Sequence, residues 1–247
     1  MMEPLEQPPI QQPLMESGHG FITFLETGSS IDFFGVFLQC RFDLALYQDS
    51  LFDTLSVHLP EEIRRACKKR KAEFLAGRYC AAQALKQLGF ANVQVPIGPN
   101  RSPLWPTDIS GSISHGGDIA ICALTRGPLA LGVDFELPIP TETAAEIKNT
   151  IVCTAEEIRF SQAGIAPEHW LTIAFSIKES LFKALYAKVQ QYFDFLDAEI
   201  LYIDPLAQKL TLTLTRDLCP DVRAGDLYHG IFQFQHNGVL TLIAPPH

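Results

Sequence analysis

Two long helical segments, each set among short strands, constrain this 247-residue chain more than any other feature. The first is PEEIRRACKKRKAEFLAGRYCAAQALKQLG, residues 60–89. Pro60 stands at an allowed first helical position, Glu61 and Glu62 complement the helix dipole, and Gly89 marks the stop. Ile63, Cys67, Phe74, Ala81, Leu85 and Leu88 recur at spacings of three, four and seven, which predicts one apolar stripe on a single helix. The second helix is predicted from about Glu168 to Lys188.

Strand signals surround both helices. Residues 31–47 are apolar and aromatic with partial alternation, and 91–106 form a Pro/Gly-rich connection. SGSISHGGDIAICALTRGPLALGVDFEL then reads as three strands with turns at Gly116-Gly117 and Gly127-Pro128. In the tail, AEILYI, KLTLTLT, GIFQFQ and VLTLIA read as short strands, the last two joined at His236-Asn237-Gly238. The expected fold class is therefore α+β. Two similar halves related by a pseudo-twofold are expected, each a long helix packed on a small, mostly antiparallel sheet. Residues 1–16, rich in Pro and Gln, are expected to be a flexible N-terminus. The halves are then 17–128 and 129–247, the second carrying the acidic residues considered below.

Composition removes several function classes. Nineteen Lys+Arg against 28 Asp+Glu leave a net charge of −9, which argues against a general nucleic-acid binder. A 47% hydrophobic content is too high for disorder. No apolar run approaches the roughly 18 residues of a membrane span. The first basic residue is Arg41, so the start resembles neither a secretory signal nor a transit peptide. Six scattered cysteines without a C-x-x-C pair read as free, buried or partly buried thiols in a reducing, cytoplasmic setting.

Four groups of residues carry chemistry. On a strand, Leu131, Val133 and Phe135 share one face while Asp134 and Glu136 share the other, their Cα atoms about 6.5–7 Å apart. Paired oxygen donors suit a hard cation such as Mg²⁺, although an isolated D-x-E is most often a solvated acidic face. In AFSIKESLFKALY, Leu171, Ala174, Phe175, Leu181, Phe182 and Leu185 form an apolar arc with Lys178 at its centre, costly unless its charge is matched. Glu179 and Lys183, four apart, stand at the edge of that arc and could be a simple surface ion pair. Around Ser110–Gly117, small residues admit a ligand to the backbone, and serine hydroxyls such as Ser114 with His115 suit phosphate oxygens, although a hairpin turn with an incidental histidine reads equally well. Neighbours on a strand point to opposite faces, so these two do not form a nucleophile–base pair. Finally, residues 61–80 hold Arg64, Arg65, Lys68, Lys69, Arg70, Lys71 and Arg78. Arg64, Lys71 and Arg78 share a helix face, and Arg101 could extend the patch. Such a run is a solvated basic face by default, but it could focus an anion.

Taken in order, RKAEFLAGR, SPLWP, GSISH, GVDFE and FSIKESLFKAL resemble the motifs of the 4′-phosphopantetheinyl transferases, the two-lobed kind serving siderophore, nonribosomal peptide and polyketide synthases. The likeness is strong over about 64–188. It implies transfer of the phosphopantetheine arm of coenzyme A to a serine of an apo carrier protein, with release of 3′,5′-ADP. It implies that Asp134, Glu136 and Glu179 gather round one Mg²⁺ that also meets the diphosphate. Arg78, Arg101, Ser114 and His115 would hold coenzyme A, with Arg101 and His115 near the 3′-phosphate. Lys183 would approach the diphosphate and, with Asp134 and Glu179, count among the catalytic residues, and Lys178, which matches the lysine before the third acid, would also bind coenzyme A. Glu179, or a metal-bound water beside it, is the expected general base.

The chain departs from that pattern at three places. Phe175 replaces a common Trp, Phe135 between the acids cannot ligate metal, and Asn100-Arg101-Ser102-Pro103 replaces the commoner Gly-Arg/Lys-Pro. The alternatives are an inactive coenzyme A-binding protein and another Mg²⁺-dependent phosphoryl-transfer enzyme, the latter weakened by the lack of a G-x-x-x-x-G-K-[ST] loop. A carrier is expected to dock through apolar residues of 104–113 or 137–165, since two acidic surfaces repel. With both halves in one chain, a monomer is expected.

Overall fold

The computed structural model describes residues 20–27 and 33–244. The 1–16 segment, and the first two residues of the strand read at 31–47, lie outside that range. The first half is built on strands β1 (Ile22–Thr27), β2 (Val36–Phe42), β3 (Ile109–Gly116) and β4 (Ile119–Arg126), paired antiparallel in the order β1-β2-β4-β3. Between β2 and β3 run two single turns, α1 (Leu51–Thr54) and α2 (Glu61–Arg64), and then the long α3 (Lys68–Gln87). The second half starts with β5 (Gly132–Glu136), followed by α4 (Thr141–Ile151), α5 (Thr154–Gln162) and the long α6 (Pro167–Val189). Strands β6 (Ala198–Asp204), β7 (Lys209–Leu214), β8 (Leu227–Gln235) and β9 (Gly238–Ile243) complete an antiparallel sheet ordered β5-β9-β8-β7-β6. The expected α+β class with one long helix per sheet is what this topology has.

Side-chain alternation explains the layers. On β4, Ala120, Cys122 and Leu124 face α3 and join the first core, while Ile119, Ile121 and Ala123 face the other way. That second set packs with Phe37, Leu131, Val133, Phe135, Leu240 and Leu242 into a core shared by both sheets. Both faces of β4 are covered, so it reads as a continuous apolar run rather than an alternating one. Each fully buried large aliphatic or aromatic side chain contributes about 1.5–3 kcal/mol. The seam between the halves is thus a core in its own right.

Glycine at 132 sets how closely α6 lies on β5. A Cβ there would stand 1.8 Å from the Ser180 carbonyl oxygen and 2.7 Å from the Ala184 nitrogen, so only glycine permits this approach.

Several local readings need correction. The single helix read over 60–89 is two, because Arg65 closes α2 and Cys67, extended at φ −67° and ψ 161°, caps α3. The supposed stripe member Cys67 is exposed, as is Cys153, contrary to the expectation of buried thiols. Cys40, Cys80 and Cys122 are buried where β2, α3 and β4 meet. The β3–β4 turn is Gly117-Asp118, one residue later than read. The β8–β9 turn is His236-Asn237, both left-handed at φ 49° and 59°, and Gly238 already belongs to β9. Helices α4 and α5 occupy a stretch where no element was read.

Candidate functional site

The site forms where β3, β5 and α6 meet. β3 and β5 are edge strands of their sheets and are joined by side chains. Three alternate residues of β3 are serine, and their hydroxyls accept backbone N–H groups from β5 and from the segment leading into it. Ser110 Oγ accepts from Leu129 (3.0 Å), Ser112 Oγ from Val133 (3.0 Å) and Ser114 Oγ from Phe135 (3.2 Å). The intervening Gly111, Ile113 and His115 line clefts instead. Ser114, expected at coenzyme A, is therefore buried in this seam, where its hydroxyl donates to Asp134 Oδ1 at 2.8 Å.

Asp134 is 2% exposed and held from three sides. Ser176 Oγ donates to Oδ2 at 2.8 Å, and Lys183 Nζ reaches Oδ1 at 2.6 Å. Behind Ser176, Thr241 and Ser180 continue a buried hydroxyl network at 2.9 and 2.8 Å. Lys183 thus pairs with Asp134 rather than forming the i,i+4 bridge to Glu179. Burial, and then the charges of Asp134 and Glu179, push the Glu136 carboxyl up to about 7. Glu179 is raised by burial and by Asp134, against the opposing pull of Lys183. The three acids share one field. As oriented, however, no group of three or more His, Cys, Asp or Glu side chains among the described residues is arranged to hold a metal ion.

Lys178 does not reach this site. Its ammonium is 1% exposed, 2.8 Å from Glu156 Oε1 and 2.7 Å from the Ile151 carbonyl. Glu156 also accepts from the backbone N–H groups of Cys153 (2.8 Å) and Ile200 (2.9 Å). The pair ties α6 to the α4–α5 junction and β6, so the expected contact of Lys178 with coenzyme A is withdrawn in favour of an internal brace.

The cations divide. Arg64 pairs with Glu61 and Lys71 with Asp49, so two of the three residues read as one basic face are already matched. Arg70, Arg78, Arg101 and His115 instead line one cleft of about 510 Å³ with Glu73 and Ile113. Arg78 lies over the Phe74 ring, its centroid 4.8 Å away, and burial, then the nearby Arg70 charge, lower it to about 10. Its Nε is buried without a hydrogen-bond partner among the described residues. Arg70 was one cation among the seven of residues 61–80, and no periodicity singled it out. It donates to His115 Nε2 at 2.8 Å.

A second cleft of about 600 Å³ adjoins the first across the 99–103 loop. Leu104, Trp105 and Phe182 give it an apolar wall, with Glu179 and Lys183 alongside. The arrangement offers a cationic pocket for a polyanion, an apolar channel, and carboxylates and an ammonium beside the channel.

Comparisons with known proteins point to one family. The family model described as 4′-phosphopantetheinyl transferase N-terminal domain matches residues 59–125, and that of the 4′-phosphopantetheinyl transferase superfamily matches 130–236. The chain is 41% identical over 140 residues to enterobactin synthase component D of Escherichia coli (strain K12), covering 57% of this chain and 66% of that protein. It is 34% identical over 176 residues to 4′-phosphopantetheinyl transferase Svp of Streptomyces mobaraensis, covering 68% of this chain and 70% of that one. With 4′-phosphopantetheinyl transferase PptT of Mycobacterium tuberculosis it shares 31% identity over 156 residues, 58% of this chain and 65% of the relative. The match thus spans slightly less than two thirds of the enterobactin synthase components.

Proposed function

This chain belongs to the 4′-phosphopantetheinyl transferase superfamily, and from that membership we propose that it transfers the phosphopantetheine arm of coenzyme A to a serine hydroxyl of an apo carrier protein, releasing 3′,5′-ADP. The observation that carries the proposal is the cationic cleft. A protein of net charge −9 places three guanidiniums and a histidine around one cavity against two glutamates, Glu62 and Glu73, and one guanidinium has a buried nitrogen without a partner among the described residues. Such a pocket suits a compact polyanion.

In this reading Arg70, Arg78, Arg101 and His115 bind the phosphates, and the arm lies in the apolar cleft. Lys183 meets the diphosphate. Glu179, its carboxyl raised by burial, takes the serine proton. The carrier approaches past Leu104, exposed at the cleft mouth. Mg²⁺ belongs to the proposal. Asp134, Glu136 and Glu179 would hold it, and their fit rests on an all-oxygen donor set whose mutual repulsion Lys183 offsets only in part. When bound, the ion would neutralise charge at the diphosphate. The enzyme is proposed to act as a monomer in the cytoplasm, with all six cysteines free.

The test is incubation with coenzyme A, Mg²⁺ and a panel of apo-carriers from siderophore, polyketide and fatty-acid systems. One phosphopantetheine added to a carrier, with 3′,5′-ADP released, supports the proposal, and initial rates rank the carriers. Coenzyme A binding without any mass gain points to an inactive binding protein. Turnover of another phosphoanhydride alone points to a different phosphoryl-transfer enzyme.

A further inference from the structure

The loop that separates the two clefts is unusually constrained. Ile97 and Pro103 face each other as an isolated antiparallel bridge. The Gly98 N–H donates to the Ser102 carbonyl at 2.7 Å, and the Ser102 N–H to that of Pro99 at 3.0 Å. Two adjacent non-glycine residues at the tip, Asn100 at φ 50° and Arg101 at φ 65°, are left-handed. Asn tolerates this conformation, whereas Arg gains nothing from it locally. Such strain persists where the surroundings over-determine it, and it gathers at ligand clamps. Here the surroundings include the other half of the molecule, because the Asn100 side-chain amide donates to the hydroxyl of Tyr186 on α6. Arg101 borders both clefts from this tip.

We propose that Tyr186 is a positioning residue: by holding Asn100 across the seam, it latches the strained tip and keeps Arg101 over the cationic cleft. The inference rests on reading that cleft as the coenzyme A site. It also accounts for asparagine at 100, where the family pattern has glycine. Both residues accept a positive φ, but only asparagine brings an amide to the tyrosine.

Calorimetric titration of the full chain with coenzyme A tests the latch. Tyr186→Phe is expected to weaken binding about three- to tenfold, the worth of one hydrogen bond, raising KM while kcat holds. Asn100→Gly, which suits the backbone but removes the amide, is expected to match it. Arg101→Ala should weaken binding at least as much, and Tyr186→Phe added to Arg101→Ala should cause no further loss. The melting temperature of Tyr186→Phe should fall by no more than the few degrees that one hydrogen bond is worth, which separates a latch from a fold defect. Unchanged affinity in Tyr186→Phe, or losses that multiply in the double variant, would overturn the proposal. If the unaltered protein fails to bind coenzyme A, the site reading itself falls, and the latch with it.

Discussion

The His115 ring accepts a hydrogen bond from Arg70 at Nε2, so its neutral form carries the proton on Nδ1, 3.8 Å from Glu73. Burial first, then the charges of Arg70 and Lys183, lower its pKa from 6.5 to about 4. The folded protein thus keeps His115 neutral where an unfolded chain would protonate it. Stability from this residue is complete above pH 6.5, declines as pH falls toward 4, and is level below that. Urea midpoints at pH 7 and pH 5 should therefore differ less in His115→Asn than in the unaltered protein. A polyanion in the cleft should raise the same pKa, so coenzyme A binding at pH 5 should take up a proton, read as a buffer-dependent heat. The second residue of interest is Lys178. Lys178→Met leaves Glu156 buried and uncompensated, and is expected to cost about 3–5 kcal/mol in urea unfolding. Replacing both partners by apolar residues should recover much of that loss. Lys178 was legible as an anomaly, since a lysine at the centre of an apolar arc needs an explanation. Its partner was not, because Glu156 lies on a helix the apolar pattern did not reveal.

At the scale of elements, the serine alternation on β3 acts as a set of rivets between two sheet edges. Ser112→Ala leaves the Val133 N–H without its acceptor inside the seam and is expected to cost about 1–3 kcal/mol, measured by chemical denaturation. The long helices and most strands were readable because capping residues, turn pairs and apolar periodicity agree there. The break at Arg65–Cys67 was not readable, since no Gly or Pro interrupts RRACKK and the stripe continues through it. The acids of GVDFE and the arginine of AGR were legible as chemistry-bearing residues. The seam role of Ser114 was not legible: a hydroxyl suits a phosphate oxygen and a backbone amide equally, and only the neighbouring strand shows that it bonds the Phe135 N–H and Asp134. Arg70 was hidden by its six cationic neighbours, which differ from it only in which way the helix turns them.

For the whole molecule, the core shared by Phe37, Ile121, Val133, Phe135 and Leu242 makes the two halves interdependent. Unfolding is expected to be one cooperative transition, with helix circular dichroism and tryptophan fluorescence giving coincident curves. Residues 17–128 and 129–247 produced separately are expected to aggregate, each exposing its side of that core. Two midpoints in the intact chain would contradict this. The cysteines add a practical consequence. Cys67 stands exposed in the first half and Cys153 in the second, whereas Cys40, Cys80 and Cys122 are sealed inside. With the partly exposed Cys219 replaced by serine, spin or dye labels could therefore be attached at one native point in each lobe. The spacing between those labels would report any hinge motion as a guest enters, while the interior thiols would react only when the first lobe opens.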